Sequence, residues 1–82
     1  MYNYEKIFDN LKQLEGQEFN YNDIICCFED VEEEVEVSKC CIYSNFEGQG
    51  RCILYNIYVN LPDEPIFEMY VNANNEIVKV LY

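Results

Sequence analysis

The side chains that usually carry catalysis are scarce in this 82-residue chain. It contains no His, so it has neither an imidazole metal ligand nor a side chain whose ordinary pKa suits proton transfer near neutral pH. The two serines, Ser38 and Ser44, have no obvious partner base, and no glycine-rich phosphate loop occurs. Sixteen Asp and Glu residues are present, but no spacing marks a catalytic pair, and so small a core can hardly desolvate one. We therefore expect that the chain is not an enzyme.

The cysteines and the acidic run at 29–36 also lack the pattern of a metal site. The five cysteines stand at positions 26, 27, 40, 41 and 52, without a Cys-x-x-Cys spacing. Vicinal cysteines on a strand point to opposite faces, which does not suit a shared disulfide. The acidic run lacks the spaced ligands and turn glycine of a calcium loop. We expect no metal and no cofactor, and we interpret the cysteines as small buried hydrophobic residues in a reducing cytosol.

Charge is the most informative property of the composition. Sixteen Asp and Glu against five Lys and Arg give a net charge of −11. Residues 1–36 hold eleven acids and two Lys, a net −9, whereas residues 37–82 hold five acids and three bases, a net −2. Such a surface repels phosphate and anionic lipid, which disfavours direct binding to nucleic acid or membrane. It favours a protein partner with a basic groove.

The hydrophobic pattern predicts one α+β domain over residues 1–82, a five-stranded antiparallel sheet with one or two N-terminal helices. Apolar residues at helical spacing predict a helix over 4–15. The stretch 19–28 turns from alternating to continuously apolar, which predicts a strand, and a short acidic helix is expected at 29–34. Further strands are predicted at 38–43, 51–60, 66–71 and 76–82, joined by turns at 45–50 and 72–75 and a proline-containing loop at 61–65. The sequence contains no apolar run of membrane-spanning length, and we expect no leader peptide and a cytoplasmic location, in the cytosol of a bacterial host.

One segment combines features that suggest a function. Asn22 and Asp23 fall in the exposed part of the predicted 19–28 strand, and an apolar stretch leads from there into the acidic run 29–36. Residues on one strand face are about 6.6–7 Å apart, and the phosphates of a DNA strand are regularly spaced single charges. An acidic strand edge could therefore occupy a groove that binds DNA. An ordinary solvated acidic face is the competing interpretation.

The order of these segments resembles the phage uracil-DNA glycosylase inhibitor family, small acidic proteins that occupy the DNA groove of that repair enzyme. The stretch 24–35, Ile-Ile-Cys-Cys-Phe-Glu-Asp-Val-Glu-Glu-Glu-Val, is similar to the family's bulky aliphatic strand followed by acids and aliphatics. The segment 4–14 corresponds to the family's first helix, and 65–82 resembles its closing hairpin with an Asn-rich turn. The resemblance implies a DNA-mimicking inhibitor with an acidic edge and an apolar pocket. That pocket would take the leucine that the enzyme drives into the DNA stack.

The resemblance also implies which residues would touch the partner. The family's Glu-Ser-Ile edge matches Asn22, Asp23 and Ile24, so the acid stands one position later here. The family's second acid matches Asp30, with Glu29 beside it. Glu34 stands where the family has an aliphatic residue. The matching pocket positions are Cys26, Val31, Val35, Ile42 (or Cys41), Leu54 (or Ile53) and Met69.

The expected partner is one uracil-DNA glycosylase molecule per chain, and the free chain is expected to be a monomer. Two alternatives remain open at the level of sequence. One is an acidic DNA mimic that targets another DNA-binding protein, such as a restriction enzyme or a CRISPR effector. The other is a toxin-neutralising interaction module with an apolar interface, in which the acids have little effect.

Overall fold

The computed structural model describes residues 4–29, 34–59 and 65–82, and it confirms the α+β class. Two short helices precede a four-stranded antiparallel sheet whose strands follow chain order, β1-β2-β3-β4. The elements are α1 (Tyr4–Lys12), α2 (Tyr21–Cys26), β1 (Val35–Tyr43), β2 (Cys52–Val59), β3 (Phe67–Asn72) and β4 (Ile77–Leu81).

Helix α1 forms where the hydrophobic spacing predicts it, but it ends three residues earlier than expected. Ile7 and Leu11, four positions apart, are its buried residues. After Lys12 the backbone tightens into turns in which the N–H groups of Leu14 and Glu15 bond to carbonyls three residues back. Gly16 then takes a φ of +89°, a left-handed conformation that favours glycine and ends the turn.

The predicted strand over 19–28 is wrong, because Tyr21–Cys26 is helical. Asn20 caps this helix: its side-chain oxygen accepts a hydrogen bond from the Asn22 backbone N–H at 2.9 Å. Ile24 and Phe28, one helical turn apart, are the positions that enter the core. The described residues therefore form four strands rather than the predicted five. Residues 30–33 of the predicted helix at 29–34 lie outside the described part of the chain. The same holds for residue 60 of the predicted strand 51–60 and for residues 61–64 of the predicted loop 61–65.

The other strand predictions are confirmed within a few residues. Strand β1 starts at Val35, three positions before the predicted 38, and a bulge interrupts its pairing with β2 between Lys39 and Cys41. The predicted Asn-rich turn joins β3 to β4: the Asn72 side chain accepts hydrogen bonds from the N–H groups of Asn74 and Glu76. Asn75 has a φ of +65°, which Asn tolerates better than most residues.

The sheet separates two apolar clusters. The larger cluster lies between the sheet and the helices, where Ile7, Leu11, Ile24 and Phe28 pack against strand residues such as Ile57 and Phe67. The smaller one lies on the opposite face and contains Cys52, Leu54 and Tyr70, partly covered by Phe46. The Phe46 and Tyr70 rings stack with centroids 3.8 Å apart. In the described part of the chain, neither helix has the length and apolar character needed to cross a membrane.

Candidate protein-binding surface

The acidic residues cluster in a long stretch of chain that itself contains no base, and Lys12, just before it, pairs with Glu15 at 3.3 Å. Between Gln13 and Ser38 the sequence has no Lys or Arg. Within this stretch the acids are Glu15, Glu18, Asp23, Glu29, Asp30, Glu32, Glu33, Glu34 and Glu36. No charged side chain is buried in the described parts of the chain, so the described carboxylates of this stretch face solvent wholly or in part. This concentration of negative charge can attract a cationic surface over several Å.

Helix α2 places part of this charge on its outer side. Asn22, Cys26 and Glu29 are four and three positions apart, so they share one side of the helical path, with Asp23 beside them. The turn at 27–29 continues that path, since the Phe28 and Glu29 N–H groups bond to carbonyls three residues back. All four side chains are exposed. We call this set, Asn22, Asp23, Cys26 and Glu29, the α2 surface.

Three of the five predicted edge residues, Asn22, Asp23 and Glu29, thus lie on one exposed surface, although a helix rather than a strand presents them. Ile24 does not belong to it. Its side chain is 0 % exposed and packs in the larger core, because its position on α2 faces the sheet. The fifth residue, Asp30, lies outside the described residues.

The six predicted pocket residues do not form one pocket. Val35 and Met69 belong to the larger cluster under the helices, whereas Leu54 is buried in the smaller cluster on the opposite face. Ile42 is 51 % exposed, and Cys26 lies on the outer side of α2. Val31 lies outside the described residues. Alternation along β2 explains the error at Leu54: its neighbour Ile53, left open as the alternative, shares the face of Ile42 and Val71.

A depression of about 230 Å³ does occur on the helix-side face, at the end of the sheet. It is lined by Arg51, Ile53, Val71, Asn72, Ala73 and Asn75. Ile42, Ile53, Val71 and Ile77 are successive partners across the four strands and form one aliphatic row. Ile77 and Val71 are buried, Ile53 is half-buried and Ile42 is exposed, so cover is progressively lost towards β1. In the sequence, the features that indicate this depression are the alternation of Ile53 with Leu54 along β2 and the nearby Arg51.

Hydrogen bonds place this depression next to the start of α2. The Phe19 N–H donates to the Asn75 carbonyl at 2.7 Å, and the Asn75 side chain donates to the Phe19 carbonyl. The Phe19 ring stacks on Tyr55 with centroids 4.6 Å apart. Asn20, the cap of α2, follows directly. The depression therefore lies beside the N-terminal end of α2.

The cysteines depart from the expectation that they are buried. All five are unpaired thiols: Cys26, Cys40 and Cys41 are exposed, Cys27 is half-buried and Cys52 is buried. Burial raises the pKa of Cys52, and burial, then the neighbouring Cys26 and Asp23, raises the pKa of Cys27. The described residues contain no group of three or more Cys, Asp or Glu arranged to hold a metal ion.

We predict that a thiol-alkylating reagent modifies the native protein at its exposed cysteines and leaves Cys52 intact. The thiolate is the reactive form. A buried thiol with a raised pKa therefore reacts slowly for two reasons: the reagent cannot reach it, and it stays protonated. Mass spectrometry of digests after timed labelling measures the order. Cys52 should become reactive in urea; rapid labelling of Cys52 in the native protein would contradict its burial.

Comparison of the chain with models of protein families, with curated proteins and with solved structures yields no match in any of the three.

Proposed function

We propose that this protein is an inhibitor that mimics DNA and occupies the DNA-binding groove of a uracil-DNA glycosylase. The observation that carries the proposal is the α2 surface, an exposed helical face with Asp23 and Glu29 in a stretch of chain that lacks Lys and Arg. The choice of enzyme rests on the resemblance of segment order, length and charge to the inhibitor family. An α+β fold with two N-terminal helices and an antiparallel sheet is compatible with that choice.

The carboxylates would act by taking the places of phosphates. Groups that bind DNA phosphates, namely hydroxyls, backbone N–H groups and cationic side chains, also donate hydrogen bonds to carboxylate oxygens. Asp23 and Glu29 are both exposed and are six positions apart, which separates them by about 9 Å along the helical path at a rise of 1.5 Å per residue. The net charge of −11 adds long-range attraction to a basic groove, which accelerates encounter.

An apolar contact is needed as well, because charge alone gives a binder that is sensitive to salt and has little selectivity. We assign this contact to the depression at Ile53 and Val71, in place of the six pocket residues predicted from sequence. Its apolar floor and its position beside α2 suit an inserted aliphatic side chain such as leucine. Burying such a side chain contributes about 1.5–3 kcal/mol before ordering costs.

Filling the depression should weaken inhibition without disturbing the fold. Ala73 is exposed and lines the depression, so the A73W ring can occupy it, whereas Asn74, its exposed neighbour in the turn, does not line it. We expect A73W to raise the inhibition constant about tenfold or more, which corresponds to the loss of about 1.4 kcal/mol. The matched N74W variant should inhibit like the unmodified protein. Equal inhibition by the two variants, at equal thermal stability, would remove the depression from the interface.

The proposal as a whole is tested by measuring uracil release from uracil-containing DNA. The purified protein is titrated into several bacterial uracil-DNA glycosylases at fixed substrate, with heat-unfolded protein as the control. We expect loss of activity as the protein reaches one molecule per enzyme. Full activity of every enzyme at a large molar excess would refute inhibition of this enzyme class.

A second candidate is a DNA mimic that targets another DNA-binding protein. It gains support from the placement of Val35 and Met69 on one face of the sheet and Leu54 on the other, since a mimic that relies on charge needs no pocket. A panel of restriction enzymes and CRISPR effectors, assayed for DNA cleavage at two salt concentrations, distinguishes it. Such a mimic should inhibit in low salt, lose potency steeply as salt rises, and respond equally to A73W and N74W.

A further inference from the structure

The two edges of the sheet differ in how their backbone groups are covered. On the β4 side, Ile77 donates its N–H to the Gln17 carbonyl and accepts a hydrogen bond from the Gly16 N–H. Glu18 pairs with Glu76 in an isolated bridge, and the Glu15 carboxylate accepts a hydrogen bond from the Val80 N–H at 2.8 Å. The segment 15–18 thus covers this edge much as a fifth strand would. It leaves few backbone groups there for another chain.

The β1 edge has no comparable cover among the described residues. β1 is the longest strand, with nine residues, and the sheet order places it at the outer edge with β2 as its sole described neighbour. Every second residue of an edge strand directs its N–H and C=O away from the sheet. Those groups form a template to which an extended chain can add.

The side chains of β1 are also accessible on both faces of the sheet. All side chains from Lys39 to Tyr43 are exposed. Ile42 pairs with Ile53 on the helix-side face, and Tyr43 pairs with Cys52 on the opposite face. An added strand would therefore gain one apolar contact on each face in addition to its backbone hydrogen bonds.

Charge identifies the kind of chain that fits this edge. A second copy would bring together two molecules that each carry −11, and the bulge and Lys39 also disfavour pairing of identical edges. The edge has Glu36 on the strand and Glu34 immediately before it, both exposed. A segment rich in Lys or Arg alternating with aliphatic residues complements both the acids and the apolar side chains.

We propose that β1 is a strand-addition edge that binds an extended, positively charged segment of a protein partner. This inference concerns β1 and does not depend on which enzyme the α2 surface recognises.

The test uses a nine-residue peptide that alternates lysine with valine, which matches the nine residues of β1. A second peptide of the same sequence carries an N-methyl group on every backbone amide nitrogen, so it keeps its charge but has no N–H to pair along either of its edges. Calorimetry of both against the whole protein gives their affinities, and amide exchange locates the bound peptide. We expect the N-methylated peptide to bind at least about tenfold more weakly. New exchange protection should appear in β1 and not in β4.

Two variants with the same change in charge sharpen the result. E36K should weaken the unmodified peptide about tenfold, whereas E5K on α1, also exposed, should change its affinity little. Equal affinities for the two peptides would mean attraction by charge alone and would overturn the proposal. Sedimentation that shows a dimer of the free protein, with β1 amides protected, would assign the edge to a second copy and overturn it as well. Neither outcome bears on inhibition of a glycosylase, which the α2 surface variants test separately.

Discussion

Neutralising the two carboxylates of the α2 surface, D23N with E29Q, should raise the inhibition constant for the glycosylase by about a hundredfold or more. A hydrogen bond to a charged group contributes about 1.5–3 kcal/mol, and two such bonds correspond to a factor of about a hundred at the lower end of that range. Both side chains are exposed, so the substitutions leave the core intact. Steady-state kinetics at several inhibitor concentrations provides the constant, and unfolding in urea checks stability.

The matched control removes the same charge from helix α1. Glu5 and Asp9 are exposed on that helix, and E5Q with D9N changes the net charge from −11 to −9, as does the α2 double variant. We expect this control to change the constant by less than about threefold, mainly through the rate of association. Equal losses in the two double variants would show that the net charge matters and the α2 surface does not.

Replacing Phe67 with Ala should remove a large part of the stability of the domain. Phe67 is 1 % exposed, and its ring contacts four aromatic rings at centroid distances of 5.0–6.3 Å: Tyr4, Phe8, Phe28 and Tyr82. These rings come from both helices or their ends and from the C-terminal residue. Truncation of such a residue costs about 3–5 kcal/mol, against a total of about 5–15 kcal/mol for a typical domain. Urea unfolding followed by circular dichroism measures the loss.

Phe46 offers the comparison for this prediction on the other face of the sheet. It is half-buried and stacks on Tyr70, so F46A should lose the aromatic pair and part of the burial, about 1–2 kcal/mol. A larger loss for F46A than for F67A would mean that the main core does not lie between the helices and the sheet.

Regular periodicity made most of the fold predictable, and a short apolar run made α2 the exception. The helical spacing of α1 and the alternation in β2 are long enough to be distinctive. The run from Ile24 to Phe28 is continuously apolar, and such a run fits a buried strand as well as a helix. Asn20 as a cap and the four-residue spacing of Ile24 and Phe28 decide for the helix, because they satisfy its first N–H groups and bury one side.

The exposed acids of the candidate site were predictable, but its proposed apolar part was not. Asp23 and Glu29 are exposed because an unpaired carboxylate is almost never buried, whether a helix or a strand presents it. The apolar part depends on register, and a shift of one residue exchanges Ile53 for Leu54 and moves the contact to the other face. The exposure of Ile42 depends on where the helices stop covering the sheet, which is a tertiary property with no local signal.

Competition for the groove is most directly measured by displacement of fluorescent uracil-containing DNA from a glycosylase whose catalysis has been disabled. Fluorescence anisotropy follows the DNA as this protein is added. Occupation of the DNA groove by the acidic α2 surface predicts complete release near one protein molecule per enzyme, and a much higher requirement for the D23N/E29Q variant. DNA that stays bound at a large excess of the protein, or release that the two substitutions leave unchanged, would contradict it.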